Sequence, residues 1–306
     1  MDTYFYLEPD WQPPFCPNPN CRFHKHSRKQ WRFRRIGFFY RQVEPKRIPR
    51  WICLHCKRSF SGQTFHTSYW QKRPDLARLC FMKVTGGMAN RQIARDLEVA
   101  PSTIDHQVQR LGRHGLLFHH QQWQRTKLQG PLVIDSMGAW ESSQYFPFEH
   151  HLGVEQKSSF TIWFTDSPLR RKGRMTPAQK KRRQQLETRF GRPDPQAVRK
   201  DVSELLRVCL KDLEVAVVFS DEHPAYRVAL REQDCRIEHH VTSGKERRTT
   251  RNPLFEINLL DGLIRHSLAG HRRETWAGPK RRQGSAERLV VLLVWRNYGL
   301  LAVWCG

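Results

Sequence analysis

Acidic side chains are scarce in this chain: 29 Asp and Glu stand against 53 Lys and Arg, for a formal net charge of +24 over 306 residues. That imbalance argues against a cationic partner and favours a polyanion, of which nucleic acid is the commonest. Long hydrophobic runs are also missing. No stretch reaches the roughly eighteen apolar residues that a membrane-spanning helix needs, so no membrane association is expected. The start, MDTYFYLEPD, carries neither the basic first segment nor the apolar core of a secretion signal. A cytoplasmic location follows, and there the eight cysteines are reduced thiols or metal ligands rather than disulfides.

Four of the cysteines come in close pairs, CPNPNC (16–21) and CLHC (53–56). Two tight turns that each present two thiolates are a recurring way to fill the four positions of a zinc tetrahedron. Cys16, Cys21, Cys53 and Cys56 are therefore expected to hold one structural zinc. The stretches around them, WRFRRIGFFYRQV (31–43) and RWICLHCKRSF (50–60), interleave aromatic and basic residues as strands do, and residues 1–70 look like a zinc ribbon. His24, His26, His55 and His66 are nearby alternative ligands. Cys80, Cys209, Cys235 and Cys305 are isolated and read as packing residues.

Between 71 and 118 the hydrophobic period changes to that of helices. PDLARLCFMKV starts one; ANRQIARDL carries Ile93, Ala94 and Leu97 on one face, with Asn90 as its expected cap. After EVAP, STIDHQVQRLGRH resumes with Ile104, Val108 and Leu111, and Ser102 is its expected cap. The segment resembles a helix-turn-helix domain, whose second helix would turn Thr103, His106, Gln107 and Arg110 toward the major groove of double-stranded DNA. The polar stretch 119–130 reads as a linker.

From 131 onward strands alternate with helices, which predicts an α/β domain over 131–306. Within it RRKGRMTPAQKKRR (170–183) has no acid, and Arg170, Arg171, Lys172, Lys180, Lys181, Arg182 and Arg183 are candidate phosphate contacts in a basic insertion near 170–195. Two apolar runs end in acids: PLVI in Asp135 and VAVVFS in Asp221. In open α/β sheets ligands gather beyond the carboxyl ends of strands, although an Asp there is also a common turn former. A third acid, Glu256, opens a helix that Asn252 and Pro253 introduce.

VIDSMGAWE (133–141), FSDEHPAYR (219–227) and NPLFEINLLDGLIRHSLAGHRRETWA (252–277) follow one another in the order seen in DDE transposases of bacterial insertion sequences, which the chain resembles over nearly its whole length. The 34 residues between Asp221 and Glu256 suit that family. The resemblance implies an RNase H-like mixed-sheet core preceded by a zinc ribbon and a helix-turn-helix domain. It implies two Mg²⁺ or Mn²⁺ ions on Asp135, Asp221 and Glu256, and DNA cleavage and strand transfer at terminal inverted repeats and target DNA. It also implies basic contacts from Arg265, Arg272 and Arg273, an assembly of at least a dimer, and a prokaryotic nucleoid location. Glu287, which also opens an apolar helix, is the alternative third ligand. The short apolar end LLAVWCG (300–306) fits a truncated copy. Two other functions suit part of the pattern: a DNA-binding regulator without catalysis, and a nuclease of the same fold that cuts without joining.

Overall fold

The computed structural model describes residues 5–24, 30–273 and 275–299. His26, Cys305 and the end LLAVWCG lie outside the described residues. The chain divides into two compact units, Met1–Ala77 and Arg78–Gly306.

In the first unit, β1 (Phe33–Tyr40), β2 (Arg47–Cys53) and β3 (Ser59–Ser61) form an antiparallel sheet in that order. The β1–β2 register slips between Arg35 and Phe38, where Gly37 takes φ +98°, a conformation open to glycine at little cost. The small core joins Phe23 and Trp31 to the buried cysteines, with Phe33 and Phe60 packed against them.

The second unit begins in helix α1 (Leu76–Thr85) and continues through α2 (Asn90–Asp96) and α3 (Pro101–Trp123). Then come β4 (Leu132–Trp140), β5 (Pro147–Glu155), β6 (Thr161–Pro168), α4 (Pro177–Phe190) and α5 (Ala197–Cys209). The chain proceeds through β7 (Val215–Ser220), α6 (Pro224–Arg231), β8 (Arg236–Val241), α7 (Phe255–Ser267) and α8 (Arg282–Val294). The five strands lie in the order β6-β5-β4-β7-β8. β5 is antiparallel to both of its neighbours, β4 and β6, whereas β7 runs parallel to β4 and to β8. The α/β expectation holds, with a mixed sheet.

β4 is the central strand, and Leu132, Val133 and Ile134 are all buried, as a strand covered on both faces requires. Strand alternation separates its side chains. Leu132 and Ile134 join the core built with Val202, Leu205, Leu206 and Cys209 of α5 and Ala229 of α6, and Ser136 bonds Tyr226 of α6. Val133 and Asp135 therefore project from the opposite face, and α7 packs on β4 and β5.

Three expectations about the helical segment need correction. Residues 119–123 are the last turn of α3 rather than linker, because His119 and Trp123 are buried: His119 bonds the Ile162 carbonyl (2.7 Å) and Trp123 the Val208 carbonyl (2.9 Å). Leu128 joins the same core. Nor do α2 and α3 start where expected. Ala89 and Ala100 occupy the cap positions, and Asn90 instead donates from inside α2 to Asp105 (2.5 Å). Finally, residues 78–118 belong to the same compact unit as the sheet, since α3 lies along α8. Gly112 permits this approach: a Cβ there would meet the Glu287 backbone at 2.7–2.8 Å. Gly112→Ala is expected to destabilise the protein by about 1–3 kcal/mol through overpacking, read as a lower urea midpoint at unchanged slope.

The basic insertion is also ordered. Its α4 starts with a Thr176–Gln179 capping box and buries none of its residues.

Candidate metal centre and acidic cluster

The thiols of Cys16, Cys21, Cys53 and Cys56 all lie within 4.8 Å of one another. The Cys16–Cys56 sulfurs are 3.6 Å apart and those of Cys21 and Cys53 4.0 Å. A zinc tetrahedron with arms of about 2.3 Å has edges of about 3.8 Å, so the cluster could hold one zinc ion. Burial pushes the Cys16 and Cys21 thiols up from their ordinary range, which disfavours four neighbouring thiolates unless a cation accompanies them. The Trp31 indole N–H donates to Cys53 Sγ (3.1 Å), the kind of outer contact that orients a ligating thiolate. Turns present the ligands: Lys57 N–H donates to the Cys53 carbonyl (2.9 Å) and Cys21 N–H to that of Asn18 (3.0 Å). Of the alternative histidines, two have partners away from the thiols and one touches them. His24 bonds the Cys16 carbonyl, and His66 bonds Ser68; His55 touches Cys21 Sγ only at its rim, at 3.6 Å. Cys80 and Cys209 are buried packing residues and Cys235 is half-buried, as expected.

In the second unit Asp135 is half-buried on β4, with Oδ1 accepting the Ser136 N–H (2.7 Å). Desolvation raises its pKa to about 6, and the like charges of Asp221 and Asp261 add to the rise. Asp221 sits just beyond β7, one oxygen bound to the His223 N–H (2.9 Å) at the turn into α6. It is thus a turn former and a neighbour of Asp135 at once. Asp261 on α7 accepts Arg265 Nε at one oxygen (3.1 Å), while its Oδ1 is buried without a hydrogen-bond partner. Glu149 on β5 also feels the Asp221 charge, although burial dominates its upward shift.

The structure does not bring Glu256 into this group. Its carboxylate accepts the Ser159 hydroxyl in the β5–β6 turn and lies near Arg296. That turn adjoins Glu155, the partner of Leu132, three residues before Asp135 along β4. Glu287 is also elsewhere: buried against α3, it accepts from Gln283 (2.9 Å) and pairs with Arg113 (3.7 Å). Asp261, which the sequence reading missed, is the acid on α7 whose charge reaches Asp135.

The side of α3 expected to face DNA is only partly exposed. His106 is exposed, Thr103 and Arg110 are half-buried, and Gln107 is buried on the Ile104–Val108 stripe. His106 and Gln109 instead line a cleft of about 410 Å³ with Lys280 and Arg281. Among the basic candidates, Arg170 is bidentate on Glu187 (2.8 and 3.0 Å), and Arg183 pairs with the same acid (3.3 Å). Arg171 bonds Gln144 and lies over Tyr145. Lys172, Lys180, Lys181, Arg182 and Arg273 are exposed. Arg265 is held by Asp261, and Arg272 by the Gly87 and His266 carbonyls. A second cleft of about 760 Å³, walled by Arg170, Arg171, Lys172, Arg192 and Arg199, reaches His223 beside Asp221.

The raised pKa of Asp135 has a consequence for stability. A carboxyl near 6 in the native state, against about 3.9 unfolded, holds its proton more tightly when folded. Its contribution to stability is full below about pH 4 and is lost as pH rises through about 6. Without divalent cation, Asp135→Asn is expected to be more stable than wild type at pH 8, by about 1–3 kcal/mol, and nearly equal at pH 4. Urea unfolding at the two pH values measures this; an equal difference at both would contradict it.

Among the described residues, no helix is long and apolar enough to cross a membrane. Comparison with known proteins finds no family model that matches the chain and no curated relative.

Proposed function

We propose that the chain is an insertion-sequence transposase that binds double-stranded DNA at terminal inverted repeats, cuts it and joins it to target DNA. The observation that carries this reading is Asp135, half-buried on the central strand, with the like charges of Asp221 and Asp261 acting on it in a strongly basic protein. We further propose that Asp261 replaces Glu256 as its third carboxylate. The mixed sheet supports an RNase H-like core, with one acid on its central strand and the next at the end of a parallel neighbour.

Among the described residues only the four cysteines lie close enough together to hold one ion, and the three acids supply the donor class alone. Their donors are all carboxylate oxygens, the class that suits Mg²⁺ or Mn²⁺, and the buried Oδ1 of Asp261 has no partner within the protein. Bound there, two such ions would activate a water or a DNA 3′-hydroxyl and stabilise the leaving 3′-oxygen. The chain's own groups prepare the site. The Ser136 N–H fixes one oxygen of Asp135, and Arg265 fixes one oxygen of Asp261 while leaving the other open. The arginine-walled cleft beside His223 is placed to hold phosphates of the strand near Asp221. His106 and Gln109 of α3 supply a helix-turn-helix contact, and the first unit, read as a zinc ribbon, supplies another. End pairing would need at least a dimer.

The test is a joining assay with Mg²⁺ or Mn²⁺, labelled element-end DNA and a supercoiled plasmid. Joined products are expected from wild type and none from Asp221→Ala. Cuts without joining would favour the nuclease, and DNA binding without either reaction, in both proteins, the regulator.

A further inference from the structure

The first unit contains a cavity of about 650 Å³, bounded on one side by Cys16 of the cysteine cluster. Phe39, Phe60, Tyr69 and Trp70 line it together with prolines and small polar residues. The cations Arg58 and Lys72 stand at the same cavity, both exposed, and none of its lining residues is acidic.

Two features of this cavity are unfavourable in the free protein. Trp70 holds φ +62°, a backbone conformation that bulky side chains rarely adopt, and its residue is 81% exposed. Gln71 turns a carbonyl oxygen, Oε1, into buried surroundings where no donor meets it, while its Nε2 reaches the Thr67 carbonyl at 3.4 Å. A ligand with a flat apolar face would cover the indole.

We infer that this cavity takes one unstacked nucleotide of a DNA strand, with its base against the rings and its phosphate on Arg58 and Lys72. The inference rests on the reading that the chain binds DNA, and it names a part of DNA which that reading leaves open. The chemistry selects this occupant. Rings that bind a methylated ammonium need no phosphate-holding cations and gain from a nearby acid, whereas this cavity has two cations and no acid. Every base offers a π face for stacking, so the cavity would tolerate any sequence while requiring that the base leave its helix.

The experiment uses the full-length, zinc-loaded chain and two labelled 20-base-pair duplexes, one intact and one with a single extrahelical nucleotide. Wild type is expected to bind the bulged duplex about tenfold more tightly, the scale of one base–aromatic stack. Trp70→Ala should remove that preference and leave intact-duplex affinity and zinc content unchanged; Trp70→Phe should retain it. A 2-aminopurine at the bulge should lose fluorescence on binding wild type but not Trp70→Ala. Equal binding of both duplexes by wild type, or an undiminished preference in Trp70→Ala, overturns the cavity's role while leaving DNA binding in place. Binding of neither duplex overturns the DNA-binding reading itself, and the cavity's role with it.

Discussion

Asp261→Asn is expected to reduce DNA cleavage and joining by about 10³-fold or more, while Glu256→Gln leaves both within about threefold of wild type. The contrast follows from position on one helix. Asp261 lies five residues beyond Glu256, about 7.5 Å further along the axis of α7. That distance separates an acid that acts on Asp135 from one that bonds Ser159 at the far end of the sheet. Losing a carboxylate that holds a catalytic cation removes several kcal/mol of charge stabilisation, and each 1.36 kcal/mol is tenfold in rate. Asn keeps the size and one oxygen, so a folding defect is a poor explanation for a loss; an unchanged urea midpoint would confirm that. Mn²⁺ binding by calorimetry gives a second readout, expected to weaken in Asp261→Asn alone. The reverse pattern, with Glu256→Gln inactive and Asp261→Asn active, would return the third position to Glu256.

The two acids of α7 mark where the sequence was readable. The end of its apolar run placed Asp221 just beyond β7, whereas Asp135 lies inside β4 rather than at its end, with Ser136 to Trp140 still paired to β5. The apolar stripe of α7, Ile257, Leu260 and Ile264, identifies which face meets the sheet. Both Glu256 and Asp261 flank that stripe, however, and periodicity gives an angle around a helix but no height along it. Height depends on how α7 docks on β4, a contact between residues more than a hundred positions apart. Gln107 was a different error and an avoidable one. It lies between Ile104 and Leu111 on the very stripe used to recognise α3, so its burial was legible. His119 and Trp123 were not legible. Their polar and aromatic groups are satisfied by Tyr298, Ile162 and Val208, partners that no local window contains.

The four cysteines were the most readable feature, since two short spacings fix four donors with little help from the rest of the fold. They also support the other large prediction. The first unit has a three-residue β3 and a core in which cysteines stand among few large apolar side chains. A unit of that size rarely folds on its hydrophobic burial alone and commonly needs a metal or disulfide staple. Apparent binding free energies for structural zinc are about 10–16 kcal/mol in small peptides at neutral pH, more than such a core supplies. Cys53→Ser removes the fully buried thiol that Trp31 contacts. It is expected to lower zinc content from about one ion per chain to near zero, and to abolish the near-ultraviolet circular dichroism of the packed aromatic rings in this unit. Cys235→Ser, outside the cluster, should keep both. The helices and sheet of the second unit form a separate compact body, so most of the far-ultraviolet signal should survive in Cys53→Ser. Zinc retained at full stoichiometry in that variant would mean that the thiols pack without a shared ion. A zinc-free variant with unchanged aromatic dichroism would show instead that the rings, rather than the metal, hold the unit together.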